Sequence, residues 1–435
     1  MSMKSKLALI ALSTMIALYI VVGGLLSNNS HVLATGDPYI QLKIFGEVLR
    51  HITRDYVDEP DLEKVRVGAL RGLADGLDPY SAYLTPEQVN RFTVENTKRN
   101  PVGATFSKVG RYLYVVAVLK DSPAEKAGLR SGDFIEYVGQ SATQDVSLYD
   151  IQETLAALSP NQEIEFTVLR RGGSEKVKVK AGQVGQPMIE SRIEEGEIGY
   201  IRITSLTQGK AAEVKANIAA LSKKGMKKLV LDLRGAASGE LTEGVAVANL
   251  FLPTGTLARV IGHHDEIKKT FEADPANRVF DGQLVVVINR TTAGPAEVIA
   301  ASVLAAKRGE VVGERTFGAG SEQELFRMQD GAGLYLTVAK YAPMNGKPFM
   351  EEPVKPTVEV KSTDLAAVTP DGDDDSTQSE EQNSTQTPAQ TDGQKPAEPA
   401  PKTSTPAQPV DQPLKKALEL LKGKPATSTA EKKAA

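Results

Sequence analysis

Hydrolytic or metal chemistry needs a nucleophile, a base or a set of ligands, and this chain offers few. It contains no cysteine and four histidines, so thiolate nucleophiles, disulfides and zinc sites built on cysteine are excluded. His31 and His51 lie near the start, while His263 and His264 follow the apolar run Leu257–Ile261 in a polar stretch. A metal or triad role for that pair needs carboxylates or a serine converging in space, and isolated histidines are usually structural or exposed. Neither a metal nor a cofactor is expected. Hydroxyls stand at Thr291, Thr292, Ser238, Ser302 and Ser321, and amines at Lys307 and Lys340. A serine attacks only when a base takes its proton, and a lysine serves as that base only when burial strips its charge. Taken singly, each of these residues reads as a cap, strand or surface residue.

Whatever chemistry exists must be positioned by a chain of 435 residues, 41% of them apolar, which is enough for two or three cores. The net charge of −4 is spread along the sequence, so the electrostatic footprint of a nucleic-acid binder is missing. Lys4 and Lys6 precede Leu7–Leu26, twenty residues without a charge, long enough to cross a hydrocarbon core as a helix. Val32-Leu33-Ala34 makes a poor cleavage box, so the segment reads as an uncleaved anchor. Lysines on its N-terminal side put the globular part outside the cytoplasm, on the periplasmic side of an inner membrane.

From Pro38 the residues Leu42, Phe45, Val48, Leu49 and Ile52 recur at helical spacing, ending near Tyr56, and Val65, Ala69, Leu70 and Leu73 mark a second helix. Asp78-Pro79-Tyr80 supplies a turn. Between Val102 and Gln183 the runs Tyr112–Leu119, Phe134–Tyr137, Ile164–Leu169 and Lys176–Val179 read as strands around one short helix carrying Leu148, Ile151, Leu155 and Leu158. Strands at Ile198–Ile203, Leu229–Leu233 and Leu284–Ile288 then alternate with helices through Ala211–Leu221, Leu241–Leu250 and Pro295–Ala306, which implies a largely parallel sheet covered by helices. Beyond Lys361 the sequence turns to Asp, Ser, Thr, Gln, Pro and Ala; such a tail buries too little to order itself, apart from one short helix at Pro413–Leu421. The fold class is α/β multidomain, with an anchor and linker at 1–36, an N-terminal helical region at 37–100, a β-rich module at 101–184, a mainly parallel core at 185–361 and a disordered tail at 362–435.

Several ordered blocks carry a family resemblance. Tyr56-Val57-Asp58 and Leu77–Leu84, then Ser122-Pro123-Ala124, Ala127-Gly128-Leu129 and Gly132-Asp133, then Leu231–Arg234, Leu250–Pro253, Gly313–Gly318, Leu336–Tyr341 and Pro353–Pro356 stand in the order of the C-terminal processing (tail-specific) serine peptidases. The resemblance implies a PDZ-like module followed by a ClpP/crotonase-like peptidase core. In a PDZ domain a peptide adds as a strand to a sheet edge and its carboxylate is caught by backbone N–H groups. The resemblance places that loop at Val102, Gly103, Ala104 and Thr105, with a side-chain pocket at Leu148, Ile151 and Leu155; the alternative is that these three leucine and isoleucine residues simply fill the module's core.

The same alignment empties the chemistry. The family's serine falls in Thr291-Thr292-Ala293-Gly294-Pro295-Ala296-Glu297, at Gly294, and its lysine in Thr316-Phe317-Gly318-Ala319-Gly320, at Ala319, twenty-five positions on. Gln323 matches a glutamine that supports the lysine, and the family's Asn-x-Pro-Gly-Gly loop becomes Ala236-Ala237-Ser238-Gly239, which leaves Ser238 and Gly239 at the expected oxyanion loop. The expectation is a membrane-anchored, catalytically inactive homologue that binds peptide or protein C-termini or scaffolds an active peptidase relative, and that is able to self-associate. The alternative is an endopeptidase using displaced groups, with Thr292 or Ser321 as nucleophile.

Overall fold

A computed structural model describes residues 38–93, 99–170, 173–361 and 411–423. The proposed anchor at Leu7–Leu26 lies outside the described residues, as does the tail apart from 411–423; among the described residues no helix is long and apolar enough to cross a membrane. The chain divides into two compact units, one up to Ala69 and one from Leu70 onward. In the first, helix α1 spans Pro38–Asp55 and α2 begins at Leu62, running to Asp75. The apolar stripe of α1, Leu42, Phe45, Val48 and Leu49, is exposed.

The second unit holds three sheets. Strand β1 (Ala82–Leu84) and helix α3 (Pro86–Arg91) lead into the β-rich module, whose strands are β2 (Ala104–Val109), β3 (Tyr112–Val118), β4 (Phe134–Val138), β5 (Ser141–Ala142), β6 (Glu163–Arg170) and β7 (Gly173–Lys180), with helices α4 (Pro123–Lys126) and α5 (Leu148–Ala156). Its order is β2-β3-β4-β6-β7, with β5 on β4. Local chemistry explains the motif residues. Ser122 and Ser147 cap α4 and α5 with their hydroxyls. Gly103 has φ +76, and a Cβ there would lie 2.5 Å from the Ser122 Cβ, so only glycine fits. Asp133 is buried because Arg170 clamps it with two hydrogen bonds, at 3.0 and 2.7 Å.

The core sheet runs β17-β14-β13-β10-β9-β8, from β8 (Glu190–Ile193), β9 (Ile198–Arg202), β10 (Lys228–Asp232), β13 (Gln283–Ile288), β14 (Glu310–Gly313) and β17 (Val358–Glu359). All neighbours are parallel except β8 with β9. Alternation along β10 splits its residues between two cores: Leu229 and Leu231 join the face covered by helices α6 (Lys210–Lys223), α7 (Leu241–Asn249) and α8 (Pro295–Ala305), while Val230 joins the other. Helix α8 is buried almost all round; Val298, Ile299 and Val303 have no exposed surface, each contributing about 1.5–3 kcal/mol by the area removed from water.

The third sheet, unforeseen in the sequence, is antiparallel, with order β1-β16-β11-β12 and β15 added to β16. It comprises β11 (Thr256–Ile261), β12 (Ile267–Glu272), β15 (Ser321–Arg327) and β16 (Gly333–Ala342) along with β1. Helix α9 (Gln412–Gly423), matching the expected tail helix, lies against the second face of the core sheet, with Ala417 and Leu421 buried among Ile198, Tyr200, Val230 and Val287.

Candidate active site

Strand β13 ends at Ile288, and the five residues after it are folded by their own polar groups. Asn289 Oδ1 accepts from the Thr291 N–H at 2.9 Å and the Thr291 hydroxyl at 2.6 Å. The Thr292 hydroxyl donates to the Leu233 carbonyl at 3.0 Å, and the Gly235 N–H donates to Thr291 Oγ1 at 2.6 Å. The Ala293 N–H reaches the Ala236 carbonyl at 2.9 Å. Both threonines are buried, so their hydroxyls are consumed in tying the 289–293 turn to the loop after β10.

At Gly294 the chain enters α8 with φ +59 and ψ −120, a conformation costly to any residue with a Cβ. A Cβ placed there would meet nothing within 4 Å: there is room for a side chain, and none is present. The Gly294 N–H is 3.1 Å from the Ala319 carbonyl. The positions expected for nucleophile and base, twenty-five residues apart in sequence, are therefore adjacent.

Glu297 holds the two together. Its carboxyl is fully buried and accepts the N–H groups of Gly294 (2.8 Å), Gly318 (3.0 Å) and Ala319 (2.8 Å) and the Thr316 hydroxyl (2.5 Å). Burial pushes this carboxyl up to about 8, against the pull of those four donors. The N–H at position 294 points at a carboxyl group, where it is poorly placed to stabilise an anionic oxygen on a bound carbonyl.

The residues expected at the oxyanion loop are also fixed by the fold. The Ser238 hydroxyl lies 3.2 Å from that of Ser205. Gly239 has φ +129 and pairs with Leu206 so closely that a Cβ would sit 2.2 Å from the Leu206 carbonyl oxygen. Gln323, on β15, donates to the hydroxyls of Ser321 (2.7 Å) and Thr337 (3.2 Å). Ser321 stands opposite Lys340 across β15 and β16, while the Lys340 ammonium pairs with Glu351 at 2.9 Å.

The β-rich module packs beside Gly294 and Ala319. Tyr114 and Val116 of β3 and Phe134 of β4 cluster with Ala293, against Ala237, Phe317 and Ala319, and the Tyr114 ring stacks on Phe317 at 5.7 Å and 11°. Sequence reasoning missed this seam, whose only local signal is the aromatic content of β3. Within the module, Val102, Ala104, Leu148, Ile151 and Leu155 are all buried in one core with Phe106 and Phe166. The Gly103 N–H donates to Asn100 Oδ1 at 2.9 Å, and Asn100 Nδ2 donates to the Ala104 carbonyl at 2.7 Å. Thr105 lies next to them on β2, an edge strand of its sheet. His263 and His264 sit on an exposed turn before β12, and among the described residues no three His, Cys, Asp or Glu side chains are grouped to hold a metal.

Comparison with known proteins agrees with this geometry. Residues 197–360 match Peptidase family S41 and residues 101–181 match the PDZ domain family. The chain is 29% identical over 351 residues to the carboxy-terminal processing protease CtpA of Bacillus subtilis (strain 168), spanning 78% of this chain and 74% of that protein. It is 29% identical over 317 residues to a probable CtpA-like serine protease of Staphylococcus aureus (strain COL), covering 72% of this chain and 63% of that one. The solved photosystem II D1 C-terminal processing protease superposes with a TM-score of 0.60 and 27% identity, over 73% of this chain and 92% of its own.

Proposed function

We propose, from the premise that this chain belongs by sequence and fold with the C-terminal processing peptidases, that it is a peptide-binding member without hydrolytic chemistry, tethered to a membrane by Leu7–Leu26 with its globular part outside the cytoplasm. One observation carries the reading: Gly294 and Ala319 meet, with the Gly294 N–H 3.1 Å from the Ala319 carbonyl, where a nucleophile and its base would face each other. Acyl transfer needs an attacking oxygen and a proton acceptor within hydrogen-bond reach, and neither residue supplies a polar side-chain atom. The nearby hydroxyls of Thr291 and Thr292 are buried and engaged. Support for peptide binding comes from β2, an edge strand of its sheet and so the strand to which a peptide would add, with Val102–Thr105 as the carboxylate loop and Leu148, Ile151 and Leu155 as the pocket. Because those side chains are buried, a ligand has to part α5 from β2, so affinity is modest. A protein of this kind presents C-termini to an active relative or sequesters them.

The test is an incubation of the purified chain with an unstructured protein. No cleavage is expected, together with saturable binding of a labelled peptide that weakens when its C-terminus is amidated. The competing reading, an endopeptidase with displaced groups, draws on Ser321 facing Lys340 across two strands. Turnover that disappears in Ser321→Ala or Thr292→Ala would establish it and overturn the first.

A further inference from the structure

Helix α9 is anchored at both ends as well as along its apolar face. At its start Asp411 caps the helix, its Oδ1 accepting the Leu414 N–H at 3.0 Å, and both carboxylate oxygens meet the Arg234 guanidinium at 2.9 and 2.7 Å. At its end the Lys228 ammonium donates to the Leu421 carbonyl at 2.6 Å. A carboxylate at the N-terminus and a cation on the last carbonyls are the charges a helix dipole favours, so Asp411 and Lys228 suit the helix, while Arg234 ties the capping carboxylate to the sheet. Between them Ala417 and Leu421 are buried against Ile198, Tyr200, Val230, Val285, Val287 and Val312, and among the described residues no other helix joins this cluster. A helix of 12 residues is marginal by itself in water, so its order comes from this seat.

Arg234 has a second engagement. Its guanidinium also binds Asp232 (2.6 to 3.1 Å), which accepts the Tyr200 hydroxyl at 2.8 Å, and it is the residue immediately before the Gly235–Gly239 loop. Burial works against the Arg234 charge, but Asp232 and Asp411 hold it well above its ordinary value. Without Asp411, a buried guanidinium would keep a single partner.

We propose that the second face of the core sheet is a receptor for a short acid-capped amphipathic helix, that residues 411–423 are its intramolecular ligand, and that occupancy of this receptor fixes, through Arg234, the loop Gly235–Gly239 beside the emptied positions. The receptor reads three features: an acid at the cap, small and leucine side chains on one face, and a length of about three turns. It is independent of whether the cleft hydrolyses or binds peptide.

The experiment uses the full chain with a specific protease site placed within 362–410. After cutting, the fragment carrying 411–423 is expected to co-elute with the remainder on gel filtration. A labelled synthetic peptide of residues 411–423 in excess displaces it. The same peptide with Asp411→Ala should compete about tenfold or more less well, the loss of a charge-assisted pair, and with Ala417→Asp not at all. Amide exchange in Gly235–Gly239 should quicken in the full chain carrying Ala417→Asp, which unseats the helix, and slow again when the unsubstituted peptide is added. Release of the fragment upon cutting, equal competition by all three peptides, or loop exchange indifferent to peptide would each overturn the proposal.

Discussion

The backbone brings Gly294 and Ala319 together and leaves space where a Cβ at Gly294 would stand. Gly294→Ser should therefore fold, at a cost of about 1–3 kcal/mol for its strained positive-φ backbone, read as a shift in denaturant midpoint. With Ala319→Lys added, hydrolysis of an unstructured protein should rise above the background of either single variant; if it does not, the altered Ala236–Gly239 loop is the remaining defect. Glu297 is a sharper test of what holds the site. Glu297→Ala leaves the Gly318 and Ala319 N–H groups and the Thr316 hydroxyl without their acceptor, and at about 1–3 kcal/mol for each buried orphan the loss should reach ~3 kcal/mol or more in chemical denaturation. Its pH signature follows from its sign. A carboxyl raised from 4.5 to about 8 in the folded chain holds its proton there and not in the unfolded chain, so its contribution is full below about 4.5 and falls as pH rises toward 8. Glu297→Gln should flatten that slope; the neighbouring titratable group, the Tyr80 phenol, is pushed by burial up to about 12 and does not interfere. The positions of Gly294 and Ala319 were legible from flanking residues, because Glu297 and Thr316-Phe317-Gly318 are short-range marks. Glu297's role was not, since four donors drawn from 294 to 319 converge only in space.

Elements were easier to read than their partnerships. The strands of the β-rich module and of the parallel core announced themselves through apolar runs of β-branched residues, and α5 through its stripe of Leu148, Ile151 and Leu155. Whether that stripe faced a ligand or a core was undecidable from periodicity, because both demand the same spacing. The antiparallel third sheet escaped because β15 (SEQELFR) is mostly polar and half-exposed, so it lacks the apolar alternation that marks a half-buried strand. One contact between elements rests on a missing side chain: Gly244 of α7 approaches α8 so closely that a Cβ would sit 2.4 Å from the Pro295 carbonyl oxygen. Gly244→Ala should force α7 and α8 apart just behind Gly294, costing about 1–3 kcal/mol as an overpacked core and lowering the thermal midpoint, whereas Gly110→Ala, in open space but at φ +58, should cost about 1–2 kcal/mol, the strain of a left-handed backbone alone.

Taken whole, the unit from Leu70 onward joins the β-rich module to the core through an apolar seam, Tyr114, Val116 and Phe134 against Ala293 and Phe317, with a second contact where Tyr149 of α5 meets Tyr335 of β16. Tyr114→Ala removes a nearly buried ring, and by analogy with other core aromatics should cost about 3–5 kcal/mol; because the lost contact spans domains, the chain should then melt in two transitions in calorimetry where the parent melts in one. Beyond the aromatic content of β3, nothing local marks this seam: its members come from β3, β4 and two loops nearly two hundred residues downstream, and only the folded chain brings them together. The stack of Phe317 on Tyr114 also offers an optical handle. The chain has twelve tyrosines and no tryptophan, so Phe317→Trp would install a solitary indole in the seam between the β-rich module and the core, excitable where phenols scarcely absorb. Any ligand prying the domains apart would then announce its arrival as a red-shifted glow.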